Sequence, residues 1–242
     1  MKVEVLFSEA CNLYGDLFNM NYLAASVPEA EFIYTGFNDV PAFAGEKVDF
    51  IYLGPMTERD QETVISRLKP YRERIIELIE QDVVFLCTGN AFEVFGSYIE
   101  TDEKRRIDCL GIYEGYAVRR LMNRHNSLFL GTFKDAGQNS REIIGFKSQF
   151  THTYTDNRKG YVFAKTRGYG INPDSEFEGI RMHNFFGTYL IGPILIMNPY
   201  FAKYLLSLAG VAEPKLAFEK EAFEAYEVRQ KEFHDPKRSF DQ

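Results

Sequence analysis

The sequence withholds what several common functions need. Its Lys and Arg are scattered and outnumbered, leaving a formal net charge of −7 over 242 residues. Phosphate backbones are held by a basic footprint, so a nucleic-acid role is disfavoured. No apolar run is long enough to span a bilayer, and the chain opens on a strand-like KVEVLF with no secretory signal in view. Cysteine is sparse: Cys11, Cys87 and Cys109 are odd in number, far apart and form no CxxC pair. They do not read as a disulfide framework, and reduced thiols in a cytoplasm are the simplest expectation. There is no GxGxxG, no P-loop and no His, Cys or carboxylate pattern with metal-ligand spacing, so neither cofactor nor metal is expected. Repeats, low-complexity tracts and convincing linkers are also missing.

What is present alternates between strand-like and helix-like segments. Residues 2–7, 30–36, 48–54 and 83–87 read as short apolar strands. Residues 15–27 carry apolar positions at helical spacing with Asp16 available as a cap, and 57–82 is a long amphipathic helix broken or kinked at Pro70. A helix is expected again over 91–99. This order predicts an α/β fold: a doubly wound, mostly parallel sheet with flanking helices. The second half differs. Segments 115–122, 127–133, 142–150, 160–166 and 179–190 are strand-like with Gly, Asn and Asp turns between them. They predict an added antiparallel strand layer, followed by a helix over 199–210. The core domain is drawn at 1–210, with a C-terminal helical extension and polar tail at 211–242.

The stretch VVFLCTGNAFEVFG (83–96) raises the question of chemistry. Active sites of open parallel sheets lie at the carboxyl ends of strands. Cys87 ends a continuous apolar strand before a Gly-containing turn, the pattern of a nucleophile elbow. A helix start there would favour its thiolate. A buried structural cysteine is an equally good reading of the same residues. The four histidines offer little help as a base. His125 lies in a polar turn, His183 mid-strand and His234 in the tail; only His152, in a loop after a strand, is a weak candidate.

Seven segments together resemble a known family: CNLYGDLFNM, VDFIYLGPMTERDQE, FLCTGNAFEVFG, LGIYEGY, IIGFKSQFTHTY, TRGYGINPDSEFEGI and FFGTYLIGPILIMNP. In order and spacing, from about residue 11 to about 205, they look like class I glutamine amidotransferase domains of the cobyric acid synthase type. Within it they are nearest to the glutaminase subunits of lipid II isoglutaminyl synthase, which pair with a Mur-ligase-like subunit. The resemblance implies that Cys87 takes the place of the cysteine that attacks the glutamine side-chain amide. It also implies departures. The family's Gly-Thr-Tyr-Leu-His-Gly-Pro reads here with Ile191 at the catalytic His. The family's Cys-Gly-Gly-Tyr-Gln is set on Cys87–Ala91, which leaves one Gly and puts Ala91 at the Gln. The Gly-Gly-Gly oxyanion loop becomes Gly54-Pro55-Met56, so Gly54 and Thr88 are the remaining oxyanion candidates. Glu-Asn-His becomes Lys147-Ser148-Gln149, and Arg124 matches a family Arg near the substrate.

These changes gather where the family does its chemistry while the scaffold persists. Without His, nothing protonates the leaving ammonia, and losing one member of such a unit costs about 10⁴ to 10⁶ in turnover. The expectation is a degenerate site in a non-catalytic binding or partner subunit, in the company of a ligase or synthetase, with a small amide or amino acid as the candidate ligand. Two alternatives stand beside it. One is a working glutaminase subunit feeding a Mur-ligase-like or cobyric-acid-synthase-like synthetase, with His152 as base. The other is a Cys87-dependent hydrolase or acyltransferase acting on an activated ester.

Overall fold

A computed structural model describes residues 1–240 of the chain. Strands β1 (Lys2–Leu6), β2 (Glu31–Thr35), β3 (Phe50–Leu53) and β4 (Val84–Thr88) alternate with helices α1 (Phe18–Ser26), α2 (Glu58–Leu68) and α3 (Arg72–Glu80). Eight strands then follow with no helix between them: β5 (Tyr98–Glu100), β6 (Arg106–Asp108), β7 (Tyr116–Arg119), β8 (His125–Lys134), β9 (Ser140–Gln149), β10 (Thr151–Tyr154), β11 (Phe163–Arg167) and β12 (Phe177–Glu178). The hairpin β13 (Ile180–Met182) and β14 (Phe185–Thr188) leads into helices α4 (Ile194–Met197), α5 (Pro199–Leu208) and α6 (Glu219–His234).

The first and last strands build one six-stranded sheet in the order β13–β14–β4–β3–β1–β2, parallel except for the β13 edge. β4 lies inside it with all five residues buried, as its unbroken apolar character requires of a strand covered on both faces. Alternation sends Phe85 and Cys87 to the side of Val64, Leu68 and Ile75 on α2 and α3. It sends Val84 and Leu86 to the side of Leu23 on α1 and Leu205 on α5. The doubly wound core therefore follows from the sequence pattern. The added layer is two four-stranded sheets, β12–β11–β8–β9 and β10–β7–β5–β6. The first is antiparallel throughout; the second contains one parallel pairing, β5 with β7.

Local chemistry sets the breaks. Thr57 caps α2, accepting the Asp60 N–H at 3.2 Å and donating to the Asp60 carboxylate. Pro70 interrupts the long helix with one 3₁₀ turn, Lys69–Tyr71. Several expectations differ: His125 opens β8 and His152 lies on β10, both on strands and not in a turn or a loop. Residues 91–99 are not an α-helix: Gly89–Phe95 is a 3₁₀ run that leads into β5. The carbonyls of Val94 and Phe95 accept from Leu110, Ile112 and Tyr113, so they cannot continue a helix. Asp16 does not cap α1; it is fully buried and bonded to the far end of β4. His183 sits in the β13–β14 turn at φ 52°, not mid-strand. The extension from 211 is docked along its helix: Tyr226, Phe233 and Phe240 pack on Leu128, Leu130 and Ile144. Arg167 fastens the end of it, donating to the carbonyls of Phe233, Asp235 and Arg238.

Candidate active site

The carboxyl end of β4 does open beside a cleft, but the residue in it is Gly89. The turn between strand and 3₁₀ run falls there, at φ 59°, a conformation that favours glycine. A cavity of about 80 Å³ is bounded by Pro55 and Met56 from the segment after β3, by Gly89, Asn90 and Glu93, and by Ile191. Arg124, Gln149 and Tyr189, with Tyr14, Glu58, Ser148 and Thr151, add polar groups to its wall. Cys87, Thr88, Gly54 and His152 are not among its lining residues.

Cys87 is the penultimate residue of β4, opposite Leu53 and Gly187, with no exposed surface. Burial alone pushes its thiol well above the usual range; neither a cation nor a hydrogen-bond donor offsets it. The activation expected from a helix start is therefore missing, because the turn lies two residues further on. Thr88 is also sealed: its hydroxyl donates to Asp16, whose other oxygen accepts the Gly192 N–H at 2.9 Å. That carboxylate binds the end of β4 to the segment after Ile191. Tyr52 donates to the same Asp16 carboxylate at 2.7 Å.

Ile191 does stand at the site. Its N–H bonds to the Phe146 carbonyl at 3.0 Å, and its Cγ2 would lie 3.2 Å from a Cβ placed on Gly89. His152 is elsewhere, on β10. Its Nδ1 meets the Gln149 amide nitrogen at 3.2 Å, and burial, with His125 and Lys147 nearby, lowers its pKa to about 4. It is neutral at physiological pH but has no link to Cys87. Gly54 turns its Cα toward the Cys11 carbonyl, which a Cβ would meet at 2.3 Å. Arg124 lies at the exposed edge, its guanidinium 4.6 Å over the Phe150 ring.

Two positions of the Gly54–Met56 segment offer the cleft no free N–H. Pro55 has no N–H. Met56 N–H donates to Asn90 Oδ1 at 3.0 Å, and Asn90 Nδ2 donates back to the Met56 carbonyl at 2.9 Å. Sequence reasoning passed over this Asn90 clamp and over Glu93. Glu93 is buried, accepts from Tyr189 O–H at 2.8 Å and Gln61 Nε2 at 2.9 Å, and has its pKa raised to about 7, chiefly by burial. Among the described residues no group of three or more His, Cys, Asp or Glu could hold a metal, and no helix is long and apolar enough to cross a membrane.

No family model matches the chain. Two curated proteins do, both named lipid II isoglutaminyl synthase (glutamine-hydrolyzing) subunit GatD. The one from Staphylococcus aureus is 28% identical over 205 residues, covering 84% of this chain and 81% of the relative. The one from Streptococcus pneumoniae is 25% identical over 214 residues, covering 86% and 80%. Among solved structures, PurLQS from Thermotoga maritima aligns with a TM-score of 0.54 at 12% identity, over 95% of this chain and 98% of that one. A crystal structure of glutamine amidotransferase aligns at 0.52 and 14%, over 86% and 99%. At such identities these two share the fold.

Proposed function

The chain carries a glutamine amidotransferase-like domain, and we propose that it serves as a non-catalytic subunit beside a synthetase. The carrying observation is the turn at Gly89. In a nucleophile elbow the reactive side chain projects from the strained residue between strand and helix, and the oxyanion is held by the next N–H and one from a neighbouring loop. By that geometry the reactive position is Gly89, which has no side chain. Pro55 and Ile191 fill the space above it, and the loop's Met56 N–H is already bonded to Asn90. Setting the family pattern Cys-Gly-Gly-Tyr-Gln two residues further on, over Gly89–Glu93, puts Phe92 at the Tyr and Glu93 at the Gln. That register suits the side chains better than one starting at Cys87.

On this reading nucleophile, acid and one oxyanion donor are lost together. Burial of Cys87 also speaks against an esterase built on its thiol. The partner is inferred from the two curated relatives, whose names make them subunits of lipid II isoglutaminyl synthase; a Mur-ligase-like synthetase is the partner class we assign. A cytoplasmic setting suits three unpaired thiols. The test is ammonia release from glutamine by the purified protein, alone and co-purified with its synthetase partner. We expect none above background in either case, and recovery of a complex. Steady release abolished by Cys87→Ala would overturn the reading.

A further inference from the structure

The cleft beside Gly89 keeps a polar interior, and its deepest side chains are acceptors. The Glu93 carboxylate receives hydrogen bonds from two neutral donors, Tyr189 O–H and Gln61 Nε2. The buried cation behind it, Arg119, makes its hydrogen bond to the Gln61 amide oxygen at 2.8 Å and, against the larger effect of burial, lowers the Glu93 pKa by its charge. Gln149 is 7% exposed, and its Oε1 has no hydrogen-bond partner. The amide cannot be turned round to cure this. Its nitrogen donates to the Thr151 carbonyl at 2.7 Å, and an oxygen placed there would face another oxygen. Glu58 adds a second carboxylate to the wall. The Tyr189 O–H is spent on Glu93 and one N–H of Asn90 on the Met56 carbonyl. The deep part of the wall thus offers the Glu93 and Gln149 acceptors, while the hydroxyls of Tyr14, Ser148 and Thr151 elsewhere in the lining can donate or accept. Arg124, at the exposed edge, is the one cation among its lining residues.

We propose that this cleft binds a small ligand carrying a cationic nitrogen, an amine or guanidinium, at Glu93 and Gln149, with an anionic group at Arg124. A basic amino acid has that chemistry. A buried acceptor without a donor is costly, and a ligand N–H removes the cost. A hydrogen bond between a cationic nitrogen and a carboxylate is about twice as strong as a neutral one. A neutral carboxamide brings its own carbonyl up to the same two acceptors. The size of the cavity limits the buried part to a head group and a short aliphatic stem. The inference rests on the reading above that the cleft binds and does not hydrolyse.

The experiment is calorimetric titration of the wild-type protein with L-lysine, L-arginine, L-glutamine and L-norleucine, with ammonia followed in the glutamine sample. L-Lysine or L-arginine should bind at least about tenfold more tightly than L-glutamine and L-norleucine. Glu93→Gln and Gln149→Met should each remove that preference, and Arg124→Ala should weaken binding of the basic amino acids. Glutamine binding as tightly as the basic amino acids, or no binding of any of the four at millimolar concentration, would overturn the proposal. Ammonia in the glutamine sample would count against the non-catalytic reading and leave the ligand preference to be judged on the affinities. The wild-type comparison decides even if a variant does not fold.

Discussion

A Cβ built on Gly89 would lie 2.6 Å from the Cβ of Pro55. Real side chains do not approach that closely, and the backbone there is left-handed at φ 59°. Gly89→Ala should therefore destabilise the protein by about 1 to 3 kcal/mol, combining left-handed strain with overpacking. Pro55→Gly in the same chain should recover part of the loss by opening the space. Urea unfolding of the two single variants and the double variant measures this. A double variant no more stable than the sum of its singles would mean that Pro55 is not the obstacle.

Cysteine reactivity should run against the sequence expectation. Cys87 has no exposed surface and no group that stabilises its thiolate. Cys109 is 8% exposed, with its thiol pushed up to about 12, mainly by burial. Timed alkylation of the native protein should be slow at all three thiols, with Cys109 modified before Cys87. Cys87 should react only on unfolding, as read by mass spectrometry of peptides. Rapid native labelling of Cys87 would show that the strand end opens to solvent.

The gap between expectation and structure at Cys87 is two residues wide, and its cause is physical. The apolar run 83–87 marks a buried strand correctly, but nothing in that run says where the strand ends. Thr88 is β-compatible and continues it, because Asp16, 72 residues earlier, takes its hydroxyl. The first residue after the run that tolerates positive φ at no cost is Gly89, and that was the available signal. Parallel strands and the Pro70 break were legible because periodicity and proline act locally. Glu93, Gln61 and Arg119 were not, because a buried polar network is assembled from β-strand and helix segments far apart in the chain. Ile191 was found only through the ordered resemblance around it.

Glu93 gives the site a pH signature. Its folded pKa of about 7 lies above the ordinary 4.5. Between those values the folded protein holds a proton that the unfolded chain releases. The stability from this group is present below pH 4.5 and lost as pH rises through 7, up to roughly 3 kcal/mol. His152 acts the other way. With its folded pKa near 4 against 6.5, its stability is present above 6.5 and lost as pH falls through 4. The two oppose one another in wild type, so the comparison with Glu93→Gln isolates the carboxyl. Between pH 5 and pH 8 the unfolding free energy of wild type should fall relative to that variant. A pH-independent difference would mean that Glu93 titrates in the ordinary range.

Lys147 and Glu178 form an ion pair with both side chains fully buried. Lys147 also donates to the Gly170 carbonyl at 2.7 Å, and its ammonium faces the rings of Phe129 and Tyr189. Glu178 accepts from Thr188 O–H at 3.0 Å and Tyr189 N–H at 2.7 Å, so the pair ties β9 and β12 to the end of β14 beside Ile191. Burial lowers the Lys147 pKa and Glu178 opposes the fall. The two single variants should differ. Lys147→Met leaves a carboxylate that still has two donors, in surroundings where aromatic rings accept a methionine. Glu178→Gln leaves an ammonium with no counter-ion and should be the more damaging of the two, with a total loss of about 3 to 5 kcal/mol. The double variant Lys147→Met with Glu178→Gln keeps an acceptor for Thr188 and Tyr189 and has no buried charge. It should be more stable than Glu178→Gln alone, with a coupling energy of about 0.5 to 3 kcal/mol in a double-mutant cycle. Additive losses would mean that the two charges do not depend on each other, and that the lysine is held by Gly170 and the rings instead.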